Sequence, residues 1–105
     1  MKRVGRIVKL KPQMKERYIR LHADPWPEVT EAIHICGIRN FSIYIKGEIL
    51  FSYFEYVGNA YEDDMKKLDE LTAEWLKETD KCQEPADPGE TDGLWSTMDE
   101  IFYQE

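Results

Sequence analysis

Alternating apolar and polar positions predict four β-strands in this chain. In the first of them, Val4, Arg6 and Val8 share one face and the residues between them share the other, as expected for the two-residue repeat of a strand. Lys46-Gly47 separates the two middle strands, which is typical of a tight hairpin. The predicted strands span residues 4–10, 38–46, 48–57 and 94–103.

Helical spacing predicts a pair of helices after the first strand. Pro12 suits the first turn of the first helix, because its missing N–H would have no partner there. Tyr18 and His22 lie one turn apart on the inner face of this helix. Pro27 opens the second helix, and Gly37 is placed to end it in the left-handed conformation.

A third helix is predicted between the hairpin and a polar loop. Asn59 and Glu62 have nearly the spacing of a capping box at its start. The loop runs from Gln83 to Gly93 and is rich in Pro, Asp and Gly. The inner positions of the helix keep the helical period for about four turns, and they are Tyr61, Met65, Leu68, Thr72 and Trp75.

The order of elements is strand, helix pair, strand, strand, helix, strand, an α+β pattern of the ferredoxin-like kind. We expect one domain over residues 1–105, with an antiparallel sheet and helices on one face. The hairpin is apolar on both faces, since Phe41 and Ile43 alternate with Tyr44. A second apolar face needs a cover, so we expect a homodimer in which two sheets face each other. Closure of the sheet into a small ligand-holding barrel within each subunit is a compatible alternative.

The composition fits a globular domain without nucleic acid or membrane partners. The 105 residues are 42% hydrophobic and carry a net charge of −7, which argues against the basic surface that nucleic acids and anionic membranes require. No apolar stretch is long enough for a membrane span, and the start of the chain lacks a secretory apolar region. We expect a cytoplasmic protein in which Cys36 and Cys82 stay reduced.

Charge is distributed unevenly along the chain. Residues 1–20 carry eight Lys or Arg and one Glu, whereas residues 78–105 carry one Lys and nine Asp or Glu. Neither end has a block of consecutive like charges, which disfavours interaction arms. We expect the two terminal segments to lie beside each other with complementary charges.

The two histidines are predicted to have different environments. His34 lies opposite the apolar stripe of the second helix and is expected to be solvated. His22 lies on an inner helix face beside Tyr18, whose phenol could orient the imidazole or a bound hydroxyl; a structural histidine is the competing interpretation. Neither histidine has a second one at metal-ligand spacing, and no nucleophile elbow, phosphate loop or calcium loop is present. Trp75 is either a core residue or a flat wall for a sugar ring.

Several spaced residues resemble a known family. The pattern YxxxHxxxWPE occupies residues 18–28, and the segment 37–44 follows it at the expected distance. With Trp75-Leu76 and the closing segment 100–103, the chain resembles the L-rhamnose mutarotase family over nearly its whole length.

This resemblance implies a dimeric α/β barrel fold and an enzyme that interconverts the α and β anomers of L-rhamnose without a cofactor. It implies that His22 is the proton donor. The sugar-binding positions that it implies are Tyr18, Phe41, Trp75 and Leu76.

The sequence leaves alternatives open for the substrate and for the class of protein. The family usually has Tyr where this chain has Phe41 and a second Trp where it has Leu76, so another 6-deoxy sugar such as L-fucose is the alternative substrate. A non-catalytic sugar-binding dimer on the same scaffold is a second class. A haem-linked oxygenase with His22 as axial ligand is a third.

Overall fold

The computed structural model describes residues 1–89 and 93–105, and its elements follow the predicted order. A 3₁₀ turn over Pro12–Met14 precedes the first helix. The strands are β1 (Lys2–Leu10), β2 (Ile38–Lys46), β3 (Ile49–Tyr56), β4 (Gln83–Glu84) and β5 (Ser96–Met98). The helices are α1 (Lys15–Ala23), α2 (Pro27–Ile35), α3 (Tyr61–Leu71) and α4 (Ala73–Asp80).

The strands form one antiparallel sheet with β1 at its centre. One edge of β1 pairs with β3, which pairs in turn with β2. The other edge pairs with β5 at residues 5–7 of β1 and with β4 at residues 9–10. The sheet curls into a half-barrel, and the arrangement is the predicted α+β, ferredoxin-like one.

The inner face of the sheet holds the core. Val4, Val8 and Leu10 of β1 are buried on this face, as the alternation in the sequence predicts. Leu50 and Phe54 of β3 are buried as well and lie opposite Val8 and Val4 in the strand register. Removal of these apolar side chains from water is the main stabilising contribution in a domain of this size.

Glycines end two of the predicted elements where the backbone turns. Gly37 follows α2 with a φ of 85°, and its carbonyl accepts a hydrogen bond from the Val57 N–H at 2.9 Å. Gly47 has a φ of 60° in the turn between β2 and β3. Both angles are in the left-handed region, which glycine enters without the steric cost of a Cβ.

The prediction of one uninterrupted third helix is wrong. The chain leaves helical geometry at Thr72, where φ is −112° and ψ is 20°, and α4 starts at the next residue. The Thr72 hydroxyl donates to the Leu68 carbonyl at 2.7 Å, and the Thr72 N–H donates to the same oxygen. Such local bonding by a threonine side chain competes with regular helix geometry.

The predicted cap of this helix is also wrong. Ala60, not Asn59, directly precedes α3, and no side chain at that position caps it. The Ala60 N–H donates instead to the Tyr56 hydroxyl at 2.8 Å, and the hydroxyl donates to Asp64. A residue of β3 thus satisfies the backbone at the start of α3, which a local sequence motif cannot reveal.

The last predicted strand is too long, and the predicted loop is not entirely irregular. Only residues 96–98 of the segment 94–103 pair with β1, because Asp99 and Glu100 end the apolar alternation. Within the predicted loop, the short strand β4 pairs with the end of β1. Residues 90–92 of that loop lie outside the described residues.

The basic start and acidic end of the chain lie side by side, as predicted. Strands β4 and β5 both flank β1, and ion pairs connect the two segments. These pairs are Arg3–Glu100 at 2.8 Å, Lys9–Glu84 at 3.6 Å and Arg17–Glu78 at 2.9 Å. Because the side chains in these pairs are 25–44% exposed and screened by solvent, each pair contributes little stability by itself.

The helices of the protein are short, with eight to eleven residues each in the described part of the chain. None of them, in residues 1–89 and 93–105, is long and apolar enough to cross a bilayer.

Candidate active site

A cavity of about 880 Å³ lies between the inner face of the sheet and the helices. This volume is within the usual range for small-molecule sites. Every candidate residue named from the sequence lines it: Tyr18 and His22 from α1, Phe41 from β2, and Trp75 and Leu76 from α4. The charged residues that line it are Arg6, Glu62, Lys66, Asp69 and Asp80.

His22 is held by the backbone of its own helix. Its Nδ1 lies 2.9 Å from the Tyr18 carbonyl oxygen. A carbonyl can only accept a hydrogen bond, so Nδ1 carries the proton and the lone pair of the neutral ring is on Nε2. Burial lowers the pKa of His22 from its ordinary value of 6.5, while the bond to the Tyr18 carbonyl acts in the opposite direction. The ring is therefore neutral at pH 7 and can accept a proton at Nε2.

Aromatic rings fix the plane of the imidazole. The Tyr18 ring stacks on His22 with centroids 4.2 Å apart, and the Trp75 ring meets it edge-on at 5.3 Å. Trp26, just before α2, packs edge-on against Trp75 at 5.2 Å. The pattern in residues 18–28 thus supplies His22, the Tyr18 ring that stacks on it, and Trp26, which supports the Trp75 ring.

The Tyr18 phenol does not orient the imidazole by a hydrogen bond, which corrects one of the expected roles. Its hydroxyl accepts a hydrogen bond from the Gln83 side-chain amide at 3.1 Å. Burial raises the pKa of Tyr18 to about 12, so the phenol stays protonated and keeps a hydrogen to donate. The carbonyl and the ring face of Tyr18, rather than its hydroxyl, position His22.

Phe41 and Leu76 give the cavity apolar walls. Phe41 lies where the pairing of β2 with β3 is irregular, between Arg39 and Ser42, and its ring packs against Phe54 with centroids 5.6 Å apart. Leu76 is partly buried one residue after Trp75 on α4. Neither side chain offers a hydrogen bond to a ligand.

None of the five charged residues of the cavity was a candidate from the sequence, and two of them come from the centre of the sheet and from α3. Arg6 lines the cavity from the inner face of β1, and Asp69 lines it from α3. The signal for Arg6 was present, because it occupies an apolar position in the alternation between Val4 and Val8. Asp69 lies one position after the inner residue Leu68, and nothing in the helical period distinguishes it from a solvated carboxylate.

The other candidate ligands are distributed over the fold. His34 is exposed, as predicted. Cys36 and Cys82 are buried free thiols. Within residues 1–89 and 93–105, no three His, Cys, Asp or Glu residues are grouped as metal ligands would be.

The fold and the cavity define a class of protein: a ferredoxin-like α+β domain whose curled sheet and helices form a cavity of small-molecule size that is lined by one neutral imidazole. The sequence profile described as L-rhamnose mutarotase matches residues 3–104. The chain belongs to the L-rhamnose mutarotase family, and the family is one of isomerase-type enzymes.

Individual relatives agree with this assignment. The chain is 37% identical to the L-rhamnose mutarotase of Listeria monocytogenes serovar 1/2a over 79 aligned residues. This alignment covers 73% of this chain and 75% of the relative. It is 31% identical to the L-rhamnose mutarotase of Paraburkholderia xenovorans over 80 aligned residues, an alignment that covers 74% of this chain and 75% of the relative. The crystal structure of L-rhamnose mutarotase from Formosa agariphila superposes with a TM-score of 0.77 over 100% of both chains at 21% identity, which shows that the fold is shared.

Proposed function

We propose that this protein interconverts the α and β anomers of L-rhamnose by general acid–base catalysis, with His22 as the proton donor. Membership of the L-rhamnose mutarotase family supports the reaction class. The observation that supports the role of His22 is its tautomer: the Tyr18 carbonyl holds the proton on Nδ1 and leaves the Nε2 lone pair free on a residue that lines the 880 Å³ cavity.

The chemistry needs only proton transfers. Ring opening removes a proton from the anomeric hydroxyl, breaks the bond between C1 and the ring oxygen, and adds a proton to that oxygen; closure on the other face reverses these changes. Neutral His22 takes the hydroxyl proton at Nε2, and the imidazolium that forms is the donor. The anomeric oxygen and the ring oxygen are both bonded to C1, so one imidazole can reach them in turn. The alternative is that a water molecule carries the second proton.

The remaining candidate residues hold the sugar. The Trp75 ring is a flat surface on which the C–H groups of a pyranose can pack, and the Tyr18 phenol keeps a hydrogen for a sugar hydroxyl. Phe41 and Leu76 supply apolar contacts that suit the methyl group of a 6-deoxy sugar. These contacts favour L-rhamnose or a related 6-deoxy sugar such as L-fucose.

Saturation-transfer NMR tests the proposal by measuring the exchange between anomers directly. We expect the wild-type protein to accelerate the exchange of L-rhamnose. His22→Ala should lose a factor of about 10² or more of this acceleration, the size of a typical general acid–base contribution. His34→Ala is the matched control, because His34 is the other histidine and is exposed on α2; it should keep the wild-type rate.

Three results would contradict parts of this proposal. Full activity of a folded His22→Ala variant would exclude the role of the imidazole. Faster exchange of L-fucose than of L-rhamnose would change the substrate. Sugar binding without acceleration for any sugar tested would make the protein a binding module instead of an enzyme.

We also propose that the protein works as a homodimer. The outer face of the sheet carries exposed apolar residues, including Tyr44, Phe51 and Met98. The chain end adds Ile101 and Phe102, which are 95% and 76% exposed. A second copy packed on this face would remove these side chains from water, and the symmetry of a dimer would cover both sheets at once.

A further inference from the structure

Arg6 occupies a position where an apolar residue is expected. It lies on the inner face of β1 between Val4 and Val8, opposite Ser52 of β3, and it lines the cavity. Arginine is among the residues least often buried unless it has a charged partner. Among residues 1–89 and 93–105, no carboxylate forms a salt bridge with Arg6, although burial lowers the pKa of its guanidinium.

Two aromatic rings hold the guanidinium in place. Its Cζ lies 5.2 Å from the centre of the Phe54 ring and 5.0 Å from the centre of the Trp95 ring. Cation–π contacts of this kind orient the planar group without using its N–H donors. The donors are therefore available to a ligand at a fixed place in the cavity.

Buried polar atoms without partners also occur in and beside this cavity. Four buried side-chain atoms have no hydrogen-bond partner among the described residues: Arg6 Nε, Ser52 Oγ, Gln83 Oε1 and Ser96 Oγ. Three of these four residues, Arg6, Gln83 and Ser96, also line the cavity. Buried polar atoms are rarely left unpaired, so unpaired donors and acceptors on residues that line one cavity favour a polar ligand in it.

The charges facing the cavity favour a neutral ligand over an anion. Arg6 and Lys66 are opposed by three carboxylates, which are Glu62, Asp69 and Asp80. The charge of Arg6 acts on Asp69 from a distance, since it opposes the rise in the Asp69 pKa that burial causes. An arginine and an aspartate that face one cavity without binding each other offer both a donor and an acceptor, which is what a sugar hydroxyl can use.

We propose that Arg6 and Asp69 are substrate-binding residues that recognise hydroxyl groups of a neutral pyranose, with the guanidinium donating and the carboxylate accepting. This inference rests on the proposed function and deepens it. It places one polar contact region at Arg6, on β1, in addition to the imidazole on α1. Together, the Arg6 region and the imidazole determine which sugar hydroxyls form hydrogen bonds and where C1 lies relative to His22.

The test compares Arg6→Met with Arg20→Met. Methionine keeps much of the length of Arg6 without charge or donors, and Arg20 is an exposed arginine of α1 outside the cavity. Ligand-observed NMR with L-rhamnose measures the dissociation constant, and saturation transfer measures kcat and KM for anomer exchange. Arg6→Met should weaken binding and raise KM by about 10- to 100-fold, the range for hydrogen bonds to a charged group, with a smaller effect on kcat. Arg20→Met should match the wild type.

A panel of 2-, 3- and 4-deoxy analogues of L-rhamnose separates recognition from a structural role. The wild type should bind at least one analogue more weakly than L-rhamnose, and Arg6→Met should lose that difference. A structural role would weaken all sugars by the same factor and lower the unfolding temperature, whereas loss of an unpaired buried charge should leave that temperature equal or higher. Asp69→Asn, tested on the same panel, should reduce the discrimination in the same direction.

The outcomes distinguish this inference from the proposed function. If the wild type binds the sugar with the expected Arg6 dependence but does not accelerate exchange, the proposed activity fails and the Arg6 inference stands. If the wild type accelerates exchange and Arg6→Met binds equally well, the inference about Arg6 fails alone. Tighter binding of a uronic acid than of L-rhamnose would overturn the assignment of a neutral ligand.

Discussion

At the scale of single residues, the tautomer of His22 follows from helix geometry. The Tyr18 carbonyl lies one turn before His22 on α1, and it accepts a hydrogen bond from Nδ1 at 2.9 Å. Residues four apart lie on one face of a helix, so the tautomer needs no long-range partner, whereas the plane of the ring also depends on Trp75. Burial then keeps the ring neutral by lowering its pKa. His22 therefore has its proton fixed on Nδ1 and a free lone pair on Nε2.

The lowered pKa predicts the pH dependence of the reaction. In the proposed mechanism neutral His22 accepts the first proton, so the rate should rise with pH and reach half of its maximum below the ordinary histidine pKa of 6.5. Between pH 7 and pH 8 the rate should be constant after subtraction of the uncatalysed exchange. Saturation-transfer NMR across this range measures the profile, and a midpoint above 6.5 would contradict the environment described for His22.

The Tyr18→Phe variant separates the role of the Tyr18 hydroxyl from the roles of its carbonyl and its ring. The variant keeps the carbonyl and the stacking ring, so kcat should stay within about tenfold of the wild type, while loss of the phenol should raise KM. The Gln83 amide would lose its buried partner, which should lower the free energy of unfolding by about 1–3 kcal/mol. Urea denaturation and exchange kinetics measure the two effects. A fall in kcat as large as in His22→Ala would show that the phenol takes part in proton transfer.

The sequence predicts some residues of the candidate site better than others. His22, Tyr18 and Trp75 could be placed on one cavity because their helical faces are defined by a local repeat. The bond between Tyr18 and Gln83 could not be predicted, since it joins residues 65 positions apart. Arg6 was visible as a charged residue on an apolar face, but its environment depends on Trp95, from a segment whose position only the folded chain defines.

At the scale of elements, the predictable boundaries are those that depend on one residue and its own backbone. Pro27 begins α2 and Gly37 follows its end, both as expected from backbone preferences. The break at Thr72 was not predictable, because the inner residues keep their period across it and still line one cavity. The start of α3 depends on the Tyr56 hydroxyl, a tertiary contact.

The two left-handed glycines give a matched stability test. Gly47→Ala should cost about 1–2 kcal/mol, the penalty of the backbone conformation, because no atom lies within 4 Å of the added Cβ. Gly37→Ala should cost more, since its Cβ would also lie 3.1 Å from the Tyr56 ring and 3.3 Å from the Gly58 nitrogen. Chemical denaturation of both variants measures the difference. Equal losses would show that the junction of α2 and β2 adapts without strain.

At the scale of the whole molecule, the two faces of the sheet present two different surfaces. Its inner face and the helices enclose the cavity, while its outer face carries an apolar surface formed by Ile7, Tyr44, Ile49, Phe51 and Met98. The alternation of the strands predicted that both faces are apolar, and this is the feature on which the proposed homodimer rests. The tail after Met98 lies along the start of β1, where Arg3 binds Glu100 and contacts the Tyr103 ring at 3.5 Å.

A charge on the outer face tests the dimer. Light scattering coupled to gel filtration should give the wild type a mass of twice the 12.5 kDa chain, and Phe51→Glu should give a monomer, because the interface would have to bury an unpaired carboxylate. Leu71→Glu is the matched control: Leu71 is an exposed apolar residue at the end of α3, on the helical side, so this variant should remain dimeric. The exposure of Phe51 lets the variant keep its fold, which circular dichroism checks. A monomeric wild type at tens of micromolar would exclude the dimer, and a dimeric Phe51→Glu would place the interface elsewhere.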